Sequence, residues 1–136
     1  MKLGFWGSGN MARVLGGAWS KAGHQITFGS RDAAKSRGVA EEIGTGATGG
    51  TNDEVAASCE VIVSSVRAVP SSFLASPSVL AGKVIIDLNN RDFPREYKPE
   101  EFLNSLAEAT QKDVPSAKVV KALNNQAMDV FNCDAA

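Results

Sequence analysis

The residue types best suited to chemistry lie near the start of the chain. Gly7-Ser8-Gly9-Asn10-Met11-Ala12 follows a short apolar run and opens a stretch with helical periodicity. A glycine leaving a strand permits a tight turn, a second leaves the backbone bare, and a small sixth residue lets helix and strand pack closely. The first amides of the helix have no partner within it and sit at the positive end of its dipole. Gly7 and Gly9 are therefore expected to shape an anion site for a diphosphate, the G-x-G-x-x-A form of the dinucleotide-binding turn. The competing reading is a plain glycine-rich turn; the strand before it and the helix after it favour the first.

A second group lies at the end of the next apolar run, "ITFGSRD". In sites for NAD(H) an acid about 20 residues beyond the glycines holds the ribose 2′-hydroxyl. That position falls near Gly29-Ser30, neither of which is acidic, and Arg31, Lys35 and Arg37 follow. A carboxylate would repel a 2′-phosphate, whereas a guanidinium binds one bidentately and the Ser30 hydroxyl can add a hydrogen bond. Asp32 is the contrary residue, expected to cap the following helix and point away from the ribose. The alternative is a solvated face of charges, but its position at the strand end favours NADP(H) over NAD(H).

Positioning these groups requires strands and helices in alternation. Residues 3–6, 25–28, 60–64, 84–88 and 118–122 read as strands, short and almost continuously apolar, as in a parallel sheet covered on both faces. Helices are expected over 11–21 with Gly23 as its stop, over Ala33–Ile43, and over Asn52–Ser58 with Asn52 as its cap. Two more are expected over 70–80, led by Pro70, and over 99–112, with Phe102, Leu103, Leu106 and Ala109 on one stripe. Residues 44–50 can hold a third strand or only a loop. The pattern predicts an α/β protein: a three-layer Rossmann fold, mainly parallel sheet with helices on both faces.

A formal net charge of −1 over 136 residues gives no bulk attraction to nucleic acid or an anionic membrane, and neither partner is expected. No apolar run approaches the roughly 18 residues of a membrane span, and no signal-peptide core is visible, so a cytosolic location is expected. Cys59 and Cys133 stand far apart without a CxxC and read as free thiols. His24, the one histidine, lies between a helix end and a strand start and reads as a turn residue. With no Ser/His/Asp set and no metal-ligand spacing, no catalytic acid, base or nucleophile and no metal site is expected. Phe5, Trp6, Trp19 and Phe131 read as core or interface residues, although Trp6 could lie close to a cofactor.

With both motifs in view, the sequence resembles the N-terminal domain of the deazaflavin (coenzyme F-420)-dependent NADP oxidoreductases. The resemblance runs along nearly the whole chain, through "GFWGSGNMA", "GHQITFGSRD", "CEVIVSSV", "AGKVIIDLNN" and "KVVKALNNQAMDVF". The NADPH module of the STEAP-type metalloreductases is similar, and the first motif alone also fits pyrroline-5-carboxylate reductase. The resemblance implies that Ser8, Gly9, Asn10 and Met11 line the diphosphate turn, and that Ser30, Arg31 and Lys35 hold the 2′-phosphate. It also implies Ser65, Val66 and Arg67 beside the adenosine and nicotinamide ribose, with Asn89, Asn124, Gln126 and Ala127 near the nicotinamide.

The reaction implied is direct hydride transfer between NADP(H) and coenzyme F-420 or a flavin-like co-substrate, within a homo-oligomer, a dimer in the family. Members of the family continue into a small C-terminal domain, and 1–136 is expected to be the NADP(H)-binding domain without it. Two other readings remain open: a reductase of imines or hydroxy acids, and a non-catalytic NADP(H)-binding module or sensor.

Overall fold

The structure is a computed structural model that describes residues 1–89 and 106–123. Strand β1 (Lys2–Trp6) leads into helix α1 (Asn10–Lys21), followed by β2 (Gln25–Ser30), α2 (Ala33–Ile43), β3 (Thr48–Thr51), α3 (Asn52–Ser58) and β4 (Val61–Ser64). Two 3₁₀ turns, Pro70–Ser72 and Pro77–Leu80, precede β5 (Val84–Asp87), and α4 (Leu106–Asp113) precedes β6 (Lys118–Lys121). The sheet runs β3-β2-β1-β4-β5-β6 with every neighbouring pair parallel. This is the doubly wound order of the Rossmann fold, as expected. Its direction reverses beside β1, and the crevice beyond the strand ends there is where such sheets take ligands.

Register makes that crevice level. Trp6 at the end of β1 pairs with Gly29 on β2 and with Ser64 on β4. The strands alternate large residues between two cores. Leu3, Phe5, Ile26, Phe28 and Val63 face α1 and α2, with the rings of Phe5 and Phe28 stacked at 5.4 Å. Trp6, Ile62 and Ile85 face the other way, towards Val55 of α3, Leu80 and Val114. The continuous apolar runs thus fill both sides of one sheet. Losing a fully buried ring such as Phe5 would cost about 3–5 kcal/mol.

Several local expectations change. Residues 44–50 do feed a third strand, and Gly49 explains its composition: a Cβ there would collide with the backbone of Ser36 and Arg37. That close approach lets the buried Ser36 hydroxyl donate to the Gly50 carbonyl at 2.5 Å, tying α2 to β3. The cap of α3 is Thr51 rather than Asn52. Its Oγ1 accepts from the Glu54 amide (3.1 Å) while the Glu54 carboxylate accepts from the Thr51 amide (2.6 Å), a reciprocal capping box. The helix expected over 70–80 is instead two 3₁₀ turns, because Pro77 lacks an amide and disfavours helical geometry at Ser76. Of the helix expected over 99–112, Leu106 onward is described and Leu106 is buried; Phe102 and Leu103 lie outside the described residues. At the end of α1 the expected stop holds. The amides of Gly23 and His24 bond back to Ser20 and Trp19 (3.0 and 3.1 Å), closing the helix in a Schellman motif.

Candidate dinucleotide-binding cleft

The chain leaves β1 through Gly7, whose φ of +96° favours glycine and whose added Cβ would lie 2.5 Å from Ser65 Oγ. The Gly7 amide donates to the Gly29 carbonyl (2.9 Å), and the Ser65 amide and hydroxyl both donate to the Trp6 carbonyl (3.1 and 3.0 Å). The turn is thereby held to β2 on one side and to the end of β4 on the other. The cap position of α1 is Gly9, and among the described residues no side chain caps the helix, the condition under which opening amides can receive an anion. A Cβ on Gly9 would meet nothing within 4 Å, and Ala12 is fully buried. The bend is open where an anion would enter and tight where helix meets strand.

A cleft of about 620 Å³ opens over this bend. It brings together Gly7, Ser8, Ser30, Arg31, Lys35, Val66 and Arg67 from the residues singled out in the sequence. Arg31, Lys35 and Arg67 are exposed cations on its walls, and no acidic residue lines it among those described. Nor does any of the three form an ion pair among the described residues, where the recorded pair is Arg13 with Glu42 (3.1 Å). Asp32 is engaged elsewhere, its carboxylate accepting from the Ala34 amide (2.9 Å) as the N-cap of α2. The Ser30 hydroxyl donates to the Asp32 carbonyl, so it is already bonded.

Other candidates fall outside the lining. Ser65 braces the glycine bend through the bonds just described. Asn89 is buried, its Nδ2 donating to Asp87 Oδ1 (2.7 Å) and to the Val66 carbonyl (3.1 Å), so it supports the cleft wall from behind. Asn10 is exposed at the start of α1, and Met11 packs against the core. Gly9 flanks the bend without lining the cleft. Arg37 lies on a separate groove with Glu41 and Thr48. Trp6 is fully buried and not at the cleft surface; its indole N–H donates to the Asn52 carbonyl (3.1 Å). Cys59 is a buried free thiol. Asn124, Gln126, Ala127, Phe131 and Cys133 lie outside the described residues.

Four lining residues were not foreseen: Asn52, Ala68, Ser72 and Phe73. Phe73 packs edge-on against Trp6 with ring centroids 5.1 Å apart. Its segment is pinned by two carboxylates: Asp113 accepts from the Ser71 amide (2.9 Å) and hydroxyl (2.5 Å), and Asp53 from the Ala75 amide (2.8 Å). Asn52 had a sequence signal. Thr51-Asn-Asp-Glu54 is a capping-box pattern that makes Thr51 the cap and frees the Asn52 side chain for another role.

A six-stranded parallel sheet in this order, with a glycine bend under a cationic cleft at its reversal point, defines a Rossmann-type nucleotide-binding domain. The family model described as NADP oxidoreductase, coenzyme F420-dependent, matches residues 2–91, and the chain belongs to that family. It is 32% identical to metalloreductase STEAP3 of Rattus norvegicus over 124 residues, which is 90% of this chain and 24% of that protein. A solved structure from Arthrobacter sp. FB24, provisionally assigned as an F420-dependent NADP-reductase, superposes with a TM-score of 0.77 at 30% identity. That match covers 96% of this chain and 65% of the other. A reductive aminase from Aspergillus terreus, solved with NADPH, has the same fold, with a TM-score of 0.59, 22% identity and 88% and 38% of the two chains covered. This chain thus spans about a quarter of the curated relative and under two thirds of the Arthrobacter chain.

Proposed function

We propose that this chain binds NADP(H) for an oxidoreductase that passes hydride between NADP(H) and a deazaflavin or flavin-like acceptor. The observation that supports this best is the charge of the cleft walls: Arg31 and Lys35 on one side and Arg67 on the other, with no acidic residue in the described lining, on a chain whose net charge is −1. A phosphate monoester carries about −1.5 to −2 at neutral pH, so such a wall favours a 2′-phosphorylated ribose over a bare one. In this reading Arg31 and Lys35 hold the 2′-phosphate, while the amides opening α1 receive the diphosphate above Gly7 and Ser8. Val66, Arg67 and Phe73 close the opposite side. When bound, the nicotinamide supplies or accepts a hydride at its C4. The protein's part is to hold and orient the dinucleotide, since ring alignment rather than an acid or base governs the transfer.

Calorimetric titration of the chain with NADPH and with NADH tests the reading. NADPH is expected to bind at least about tenfold tighter, equivalent to ~1.4 kcal/mol; equal affinities would remove the 2′-phosphate from the proposal. Mixing with NADPH and an oxidised deazaflavin should then bleach the deazaflavin absorbance. Tight NADPH binding without bleaching supports the module or sensor reading. The fold shared with imine reductases and reductive aminases gives the third reading, tested by NADPH consumption with a cyclic imine.

A further inference from the structure

Asn52 is only 6% exposed, lines the cleft, and leaves its side-chain Oδ1 buried without a hydrogen-bond partner among the described residues. Capping does not explain it, because Thr51 and Glu54 already serve the start of α3. Its backbone carbonyl is also occupied, by the Trp6 indole N–H. The side chain sits under the end of β2: a Cβ on Gly29 would be 3.0 Å from Asn52 Oδ1, and Ser30 and Arg31 come next in the chain. A buried carbonyl without a donor is a standing cost to the fold, and such groups are rare unless something else supplies the donor.

We propose that Asn52 is a second reader of the adenosine half of the cofactor, its side-chain carbonyl accepting a hydrogen bond from a donor there. The inference rests on the NADP(H) reading above. Phosphate oxygens are acceptors, so the 2′-phosphate is the wrong partner for Oδ1. The donors at that end that both dinucleotides carry are the adenine 6-amino group and the 3′-hydroxyl of its ribose. Arg31 thus recognises what distinguishes NADP(H) from NAD(H), and Asn52 recognises what the two share.

The test is Asn52→Leu, which keeps the size and removes both polar ends. Without ligand its melting temperature should equal or exceed that of the parent chain, because an unpaired carbonyl has been removed. NADPH and NADH should each weaken about tenfold and by the same factor, converting to ~1.4 kcal/mol. Titration with the 6-oxo (hypoxanthine) analogue of NADPH separates the donors. If the variant binds this analogue as the parent does, the partner is the 6-amino group; if the tenfold loss persists, it is the ribose 3′-hydroxyl. Parent-like binding of both dinucleotides by the variant overturns the proposal. So does a lower melting temperature accompanying weaker binding, which marks Asn52 as packing only. If the leucine variant does not fold, Asn52→Ala is read by binding alone, since a smaller buried side chain lowers stability by itself: an equal loss for both dinucleotides supports the proposal and parent-like binding overturns it. Failure of the underlying reading looks different: the parent chain binds neither dinucleotide, or Arg31→Ala leaves NADPH unchanged.

Discussion

The two halves of the sheet, β1 to β3 and β4 to β6, turn back over the same crevice and treat their polar groups in opposite ways. In the first half α1 begins without a side-chain cap, and Arg31 and Lys35 stand exposed and, among the described residues, outside any ion pair. In the second half most polar groups beyond the strands are engaged, with the exposed Arg67 and the buried Asp87 Oδ2 as exceptions among the described residues. Ser65 bonds the Trp6 carbonyl, Asn89 joins Asp87 to Val66, and Asp53 and Asp113 hold the segment that carries Phe73. Recognising an anion takes donors that are not yet used, which only an open rim tolerates. Building a fixed wall takes groups that are already paired, because burial penalises the rest. The first half offers most of the charge, and the second, Arg67 aside, holds shape.

The largest test of this contrast concerns the residue that joins the halves. Trp6→Ala removes a buried ring that touches Phe73 and bonds Asn52, and should lower stability by about 3–5 kcal/mol in denaturant unfolding. A loss below about 1 kcal/mol would mean that the halves are not coupled through this ring. Next in size is the ranking of the cations. Arg31→Ala should weaken NADPH at least tenfold and leave NADH nearly unchanged, as expected for a charge-assisted bond of ~1.5–3 kcal/mol. Arg67→Ala, on the opposite wall, should weaken both dinucleotides only about threefold, in the range of an exposed ion contact of ~0.2–1 kcal/mol. The reverse ranking would move phosphate recognition to the second half. The smallest effect belongs to Asp32→Ala, which should cost about 1 kcal/mol of stability through the lost cap. If it also changes the preference between NADPH and NADH, Asp32 faces the ribose after all.

Much of this site could be read along the chain because its parts are local. Gly7 and Gly9 announce a bend by type and spacing, and Arg31 and Lys35 follow a strand end that the apolar run marks out. Arg37 continues the same run of cations in sequence, yet two residues beyond Lys35 is more than half a turn of helix, and it lines another groove. Only resemblance points Asn89 to the nicotinamide side; its side chain bonds Asp87 and Val66. Ala68, Ser72 and Phe73 were missed for the opposite reason. Nothing near them in sequence tells that the segment after β4 returns beside the bend after β1.

Alternation of apolar runs with helical stretches, the glycine bend, and the missing acid after the second strand belong to the linear order of residues. Each depends on groups within a few positions of one another, so periodicity and residue type suffice. Which side chains meet across the cleft was settled by the placement of β1 between β2 and β4. That placement puts Trp6 beside Asn52, 46 positions away, and Ser65 against the Gly7 bend. Such pairings arise from burying both faces of one sheet, a condition that no short stretch of the chain can express.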